Sequence, residues 1–127
     1  MRTKKWKMML SCLFIIMSLI GGILGYFVWQ FYQVKPQSIS KNAESILFYR
    51  SDCEDCRRIY PRIVQSKLEG KSIQCINLKS NENRHYIEEY GVVEVPTLMS
   101  FSSHHEYKNS WLGVQDIRHH LEKKKEE

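Results

Sequence analysis

Phe48-Tyr49-Arg50-Ser51-Asp52-Cys53-Glu54-Asp55-Cys56-Arg57-Arg58-Ile59-Tyr60-Pro61 is the stretch on which the reading of this chain turns. The apolar run Ile46 to Tyr49 reads as a buried strand. Ser51 or Asp52 is placed to cap a helix that starts at Cys53. The first cysteine then stands at a helix N-terminus, where backbone N–H groups and the helix dipole stabilise a thiolate. Cys56 follows one turn up the same face, with the two Cα atoms about 5 Å apart. A disulfide accepts about 4.4–6.8 Å. Such a pair opens and closes without unfolding its surroundings, with one exposed nucleophile and one resolving thiol behind it. Dithiol–disulfide exchange needs that arrangement. Alone, a C-x-x-C also describes half a zinc site or a structural disulfide.

Three later features narrow the choice. Pro61 lies five residues after Cys56, inside the helix pattern, where it is expected to kink the helix. Val95-Pro96-Thr97 opens a strand, with Pro96 forty residues after Cys56, and Gly113 follows seventeen residues later. In this order and spacing the chain resembles the thioredoxin family, over roughly Ser45 to Lys124. The resemblance implies that Cys53 and Cys56 are the catalytic pair. It implies a cis Pro96 facing the cysteines, and a groove of Val95, Pro96 and Thr97 in which Val95 offers its backbone to an extended substrate. The substrates would be protein or peptide thiols and disulfides. The sequence departs from the family at two places. Asp52 stands where thioredoxins usually have tryptophan, and Leu47 where they bury an acid that helps deprotonate the second cysteine.

The residues between the cysteines set the sign of the local field. Glu54 and Asp55 put negative charge beside Cys53 and disfavour its thiolate. Arg57 and Arg58 act the other way, but are expected to point along the helix. Strongly oxidising relatives carry a histidine between the cysteines, and this chain does not. A less stabilised thiolate makes the disulfide harder to reduce, so the pair reads as a moderately reducing couple. No nicotinamide or flavin motif is present; the reading calls for no cofactor and for a redox partner protein as the source of electrons.

The formal net charge of the 127 residues is +5. Residues 1–35 carry Arg2, Lys4, Lys5, Lys7 and Lys35 and no acid, while residues 36–127 carry 14 basic and 14 acidic side chains. The excess belongs to the N-terminal tail and not to the cysteine-bearing part, which argues against a nucleic-acid partner. The tail precedes Met8 to Val28, twenty-one residues without a charge. As a helix these span about 31 Å, matching a hydrocarbon core of about 30 Å. Trp6, Tyr26, Trp29 and Tyr32 sit near its two ends, as interfacial aromatics do. The basic residues on the N-terminal side place that side in the cytoplasm and the rest of the chain outside the cell membrane. A cleaved signal peptide would show a shorter apolar core and a small-x-small site. The expected organisation is a basic cytoplasmic tail over 1–7, a single-pass anchor over 8–29, a linker over 30–44 and the cysteine-bearing domain over 45–127. Gly21 and Gly25, with Ser18 and Gly22, have the spacing that lets membrane helices approach closely.

Periodicity fills in the domain. Ile59, Tyr60, Ile63, Val64 and Leu68 give the cysteine helix a buried face, and Gly70 reads as its C-terminal cap. Ile73 to Leu78 reads as a strand holding a buried, inert Cys75. Asn81 to Tyr90 reads as a short helix ending at Gly91. Thr97 to Ser102 and Glu106 to Leu112 read as a hairpin, and Val114, Ile117 and Leu121 face one side of a last helix. The fold class is therefore α/β: a truncated thioredoxin-like β-α-β-α-β-β-α order with a mixed central sheet, preceded by one transmembrane helix. The first crossover should be parallel and the hairpin an antiparallel edge. The linker leaves no room for a further strand and helix; a turn or short strand from Ser38 to Ser45 is the most it allows.

Two other functions draw on residues of the same chain. His85, His104, His105, His119 and His120 do not form natural chelates, since adjacent positions diverge on strand or helix, so no metal site is expected. An accessory or binding role, in maturation or export of a secreted peptide such as a bacteriocin, fits a small membrane-anchored thioredoxin-like protein. It would tolerate loss of both cysteines, which an oxidoreductase would not.

Overall fold

A computed structural model describes residues 2–124 and Glu126. The chain divides into two units, with the boundary between Tyr32 and Gln33. The first is a single helix, α1 (Arg2–Tyr32), of 31 residues. It is long and apolar enough to cross a membrane.

The second unit is built on β1 (Ser45–Tyr49), the strand that leads to the cysteines. After it come α2 (Glu54–Leu68), β2 (Ile73–Asn77), a 3-10 turn over Asn81–Asn83, α3 (His85–Tyr90), β3 (Thr97–Phe101), β4 (Tyr107–Leu112) and α4 (Gly113–Lys123). The sheet order is β2-β1-β3-β4. β1 pairs parallel with β2 and antiparallel with β3, and the β3–β4 hairpin closes one edge. This is the expected α/β order with a mixed sheet.

β1 is apolar without alternation because both of its faces are covered. Ile46 and Phe48 point into a core with Ile76, Leu78, Tyr86, Val92, Met99 and Phe101, on the side of α3. Leu47 is paired with Leu98 across the β1–β3 ladder and faces the opposite way. On that side α2 and α4 pack together, with Ile59, Ile63 and Ile117 fully buried. Burial of each such side chain stabilises the fold by about 1.5–3 kcal/mol. α2 runs on through Pro61 to Leu68 and ends as Gly70 was expected to end it. The Gly70 N–H donates to Lys67 O at 3.1 Å and the Lys71 N–H to Ser66 O at 3.0 Å, a two-bond C-terminal cap. It requires the positive φ of +92° at Gly70.

Residues 33–44 form no strand, and a turn falls at Lys41–Asn42, closed by Ala43 N donating to Ser40 O at 3.1 Å. The segment has the composition of a linker, yet Gln33 to Ser40 lie along the outer edge of β2. Side-chain amides take the place of a backbone ladder. Gln37 donates through Nε2 to Cys75 O (2.9 Å) and accepts the Asn77 N–H on Oε1 (2.9 Å). Gln74 donates to Ser38 O (2.7 Å) and accepts the Ser40 N–H (2.8 Å). Asn83 donates to Lys35 O (2.9 Å) and Asn77 to Gln33 O (2.9 Å). The edge of β2 is thereby covered, which unpaired strand edges require if they are not to recruit other chains.

Candidate active site

The loop between β1 and α2 places Cys53 at the tip of the helix, with a correction to how that tip is capped. Neither Ser51 nor Asp52 caps α2. The Asp52 carboxylate is held by Arg50 through Nε (3.0 Å) and Nη2 (2.9 Å). That guanidinium pushes the Asp52 pKa down to about 2. Ser51 is buried, and its Oγ accepts from Asn77 Nδ2 at 3.2 Å. With both side chains engaged, the cap is Cys53 itself, and the helix starts one residue later, at Glu54. The Cys53 Sγ accepts the Cys56 backbone N–H at 3.4 Å. On its other side, Cys53 Sγ donates to the Val95 carbonyl at 3.8 Å.

The two thiols, both free, have different surroundings. Cys53 is half-buried; Cys56 is completely buried. Burial pushes the Cys56 thiol far above its ordinary value, and the hydrogen bond with Cys53 and the charge of Asp55 add to the shift; a backbone hydrogen bond from Arg50 works against it. Cys56 is therefore a protonated thiol while Cys53 is in place to react. Tyr49, at the end of β1, is also pushed up, by burial first and then by Cys75, Tyr60 and Cys56. It stays a neutral phenol. Cys75 is half-buried in β2, and burial lifts its thiol to about 11, which keeps it protonated and unreactive at neutral pH.

The remaining expected residues fall around this pair. The Val95–Pro96 bond is cis. Pro96 is buried, and its carbonyl accepts the Gly113 N–H at 2.9 Å, with Gly113 at a φ of +72°. Thr97 is buried and its hydroxyl donates to Glu94 O at 2.7 Å, so it braces the loop from within. Of these three residues, Val95 supplies the hydrogen-bond partner of Cys53, its carbonyl. Glu54 and Asp55 are exposed, and both face Arg58, at 2.6 and 3.8 Å. The guanidinium thus turns back toward the first turn of α2 and offsets the charge they show to Cys53.

Asn77 is the residue that sequence reasoning missed. It is fully buried at the end of β2 and ties Ser51, two residues before Cys53, to Gln33. The signal was a buried-strand pattern, Ile73-Gln74-Cys75-Ile76-Asn77, ending in an amide beside the carboxyl end of β1. Among the described residues, no three His, Cys, Asp or Glu side chains gather to hold a metal ion. His120 instead stacks on Trp111 with ring centroids 3.5 Å apart, and His105 on Phe101 at 5.0 Å.

A family model described as Thioredoxin matches residues 33–123. The chain belongs to the thioredoxin family. Solved structures agree in fold. Thioredoxin O2 from Arabidopsis thaliana, in an oxidised state, is 23% identical with a TM-score of 0.53, covering 64% of this chain and 71% of its own. Thioredoxin 1 from Thermosipho africanus is 19% identical with a TM-score of 0.53, covering 65% of this chain and 90% of its own. A mutant thioredoxin from Halobacterium salinarum is 25% identical with a TM-score of 0.53, covering 65% of this chain and 73% of its own. Among curated proteins, none matches this sequence. The thioredoxin fold with Cys53 and Cys56 adjacent at one helix tip supports thiol–disulfide oxidoreductase chemistry. The match begins at Gln33, so it takes in the segment held against β2.

Proposed function

We propose that this chain is a membrane-anchored thiol–disulfide oxidoreductase that acts on extracytoplasmic protein or peptide disulfides through Cys53-Glu54-Asp55-Cys56. The observation that carries the reading is the asymmetry of the pair. Cys53 Sγ is reachable and receives a backbone N–H at the start of α2, while Cys56 is buried and held protonated. Negative charge that develops on Cys53 is stabilised by that N–H and by the helix dipole.

The reaction follows from these positions. The Cys53 thiolate attacks one sulfur of a substrate disulfide; the S–S bond breaks and the substrate's other sulfur leaves as a thiolate, which takes up a proton. Cys56 gives up its proton and attacks Cys53 Sγ, which releases the second substrate sulfur and leaves a Cys53–Cys56 disulfide. The substrate gains two electrons and two protons, which a redox partner protein must return to the chain. In the opposite direction the same atoms oxidise a substrate dithiol. An extended substrate segment lies against the Val95 backbone, beside Cys53, with Pro96 and Thr97 fixing the loop and Glu54, Asp55 and Arg58 setting the field. Leu47, fully buried, supplies no carboxylate to help Cys56 lose its proton, so resolution is the step expected to be slow.

In this reading α1 is the anchor, and the basic residues of its first turns, Arg2, Lys4, Lys5 and Lys7, favour a cytoplasmic N-terminus with the folded unit outside. The test compares the parent with a Cys53→Ser, Cys56→Ser chain in reduction of an insulin-type disulfide by dithiothreitol. The parent should accelerate the reaction and the double variant should not. Equal rates would assign the fold to a binding or accessory role.

A further inference from the structure

The segment that separates the apolar helix from the sheet has twelve residues, 33–44, and left free it would reach about 40 Å. It is not left free. Gln33 to Ser40 are fixed on β2 by the amides of Gln37, Gln74, Asn77 and Asn83, and they run from the carboxyl end of β2 toward its start. The slack is therefore used up inside the folded unit, and the unit's first residue is held at the end of the sheet where the cysteines are. The link is direct. Asn77 Nδ2 donates to Gln33 O at 2.9 Å and to Ser51 Oγ at 3.2 Å, and Ser51 is two residues from Cys53. Standard chain dimensions then hold the Cys53 Cα within roughly 20 Å of Gln33.

Gln33 follows Tyr32, the last residue of the apolar helix, with nothing between them. If that helix spans a bilayer, Gln33 lies at the headgroup level, and Cys53 works within roughly 20 Å of it at any angle between the two units. We infer that the substrate is a cysteine pair in the juxtamembrane loops of a membrane-embedded protein, and that Asn77 and Gln37 set this reach by taking up the slack. Val93, 82% exposed, and the half-buried Val95 offer apolar contact in the loop beside Cys53. The inference rests on the proposed anchored oxidoreductase.

The test uses the full chain, reduced, in liposomes. One reporter is a transmembrane peptide with a disulfide within about 10 Å of the bilayer; the other carries the same disulfide on a helical stalk of roughly 60 Å. A soluble disulfide peptide serves as a third substrate. The parent should reduce the soluble and near disulfides, and the far one at least tenfold more slowly than the near one. A variant with a flexible Gly/Ser insert of about forty residues between Tyr32 and Gln33 should reduce the far disulfide at least tenfold faster than the parent does, with the soluble rate unchanged. A parent that reduces far and near disulfides alike, one that reduces the soluble but not the near, or an insert that leaves the far rate unchanged, overturns the inference. Failure on the soluble peptide as well as on both reporters instead overturns the oxidoreductase reading beneath it.

Discussion

Cys56 has the environment furthest from water of the two reacting thiols, and its burial gives a measurable pH dependence. Its raised value in the folded state means that the reduced, folded chain binds this proton more tightly than the unfolded chain. The contribution is fully present below the ordinary cysteine value of about 8.5 and is lost as pH rises from there toward the folded value. Urea melts of the reduced parent should lose stability more steeply above about pH 8.5 than melts of a Cys56→Ser chain; parallel slopes would mean that Cys56 is not shielded. A second expectation concerns the acids. Neutralising both as Glu54→Gln, Asp55→Asn frees the Arg58 charge one turn from Cys53, so the thiolate gains and the couple becomes more oxidising. The shift should be on the order of 30 mV or less, given that the ion pairs are exposed. Equilibration against glutathione measures it, and a shift toward reducing potential would contradict the assigned field. The position of the cysteines at the helix tip and the exposure of the two acids were legible because both depend on neighbours in the chain. The cap was not. Ser51 is taken by an amide arriving from β2 and Asp52 by Arg50, and only the fold decides that competition.

Element order was legible because each segment repeats its apolar residues at its own period, and β1 declared itself by being apolar throughout. Gly70 was legible as a cap for the same local reason. Gly70→Ala meets open space but must hold a φ of +92°, so it should destabilise the chain by about 1–2 kcal/mol with reduction rates unchanged. Chemical denaturation and an insulin assay on one preparation check both halves. A loss of activity equal to that of a cysteine variant would contradict a purely structural role. The edge along β2 was illegible. Gln33 to Ser40 read as a linker because amides, serine and proline look alike in a loop and in an edge held by side chains. Asn77→Ala removes donors to Gln33 and Ser51 together and should cost about 1–3 kcal/mol in the same melts, through buried groups left unsatisfied. A stability equal to the parent's would show that the edge is not held there.

At the scale of the molecule, the proposed anchor and its proposed orientation rest on charge and apolar length. Four basic residues and no acid lie within α1, at Arg2, Lys4, Lys5 and Lys7, while the folded unit from Gln33 onward is close to neutral, and the family match starts where α1 ends. A membrane-impermeant maleimide applied to intact, reduced cells should label Cys53, and labelling seen only after lysis would put the folded unit in the cytoplasm. Its reading as an oxidoreductase rests on one asymmetry, a reachable sulfur at a helix tip and a buried one behind it. That asymmetry is tested most directly by trapping. A Cys56→Ser chain, incubated with a disulfide-bonded protein substrate and mapped by mass spectrometry under non-reducing conditions, should accumulate a mixed disulfide through Cys53, while Cys53→Ser should accumulate little. A trap that forms through Cys56 in the Cys53→Ser chain, with none through Cys53 in its counterpart, would contradict the account.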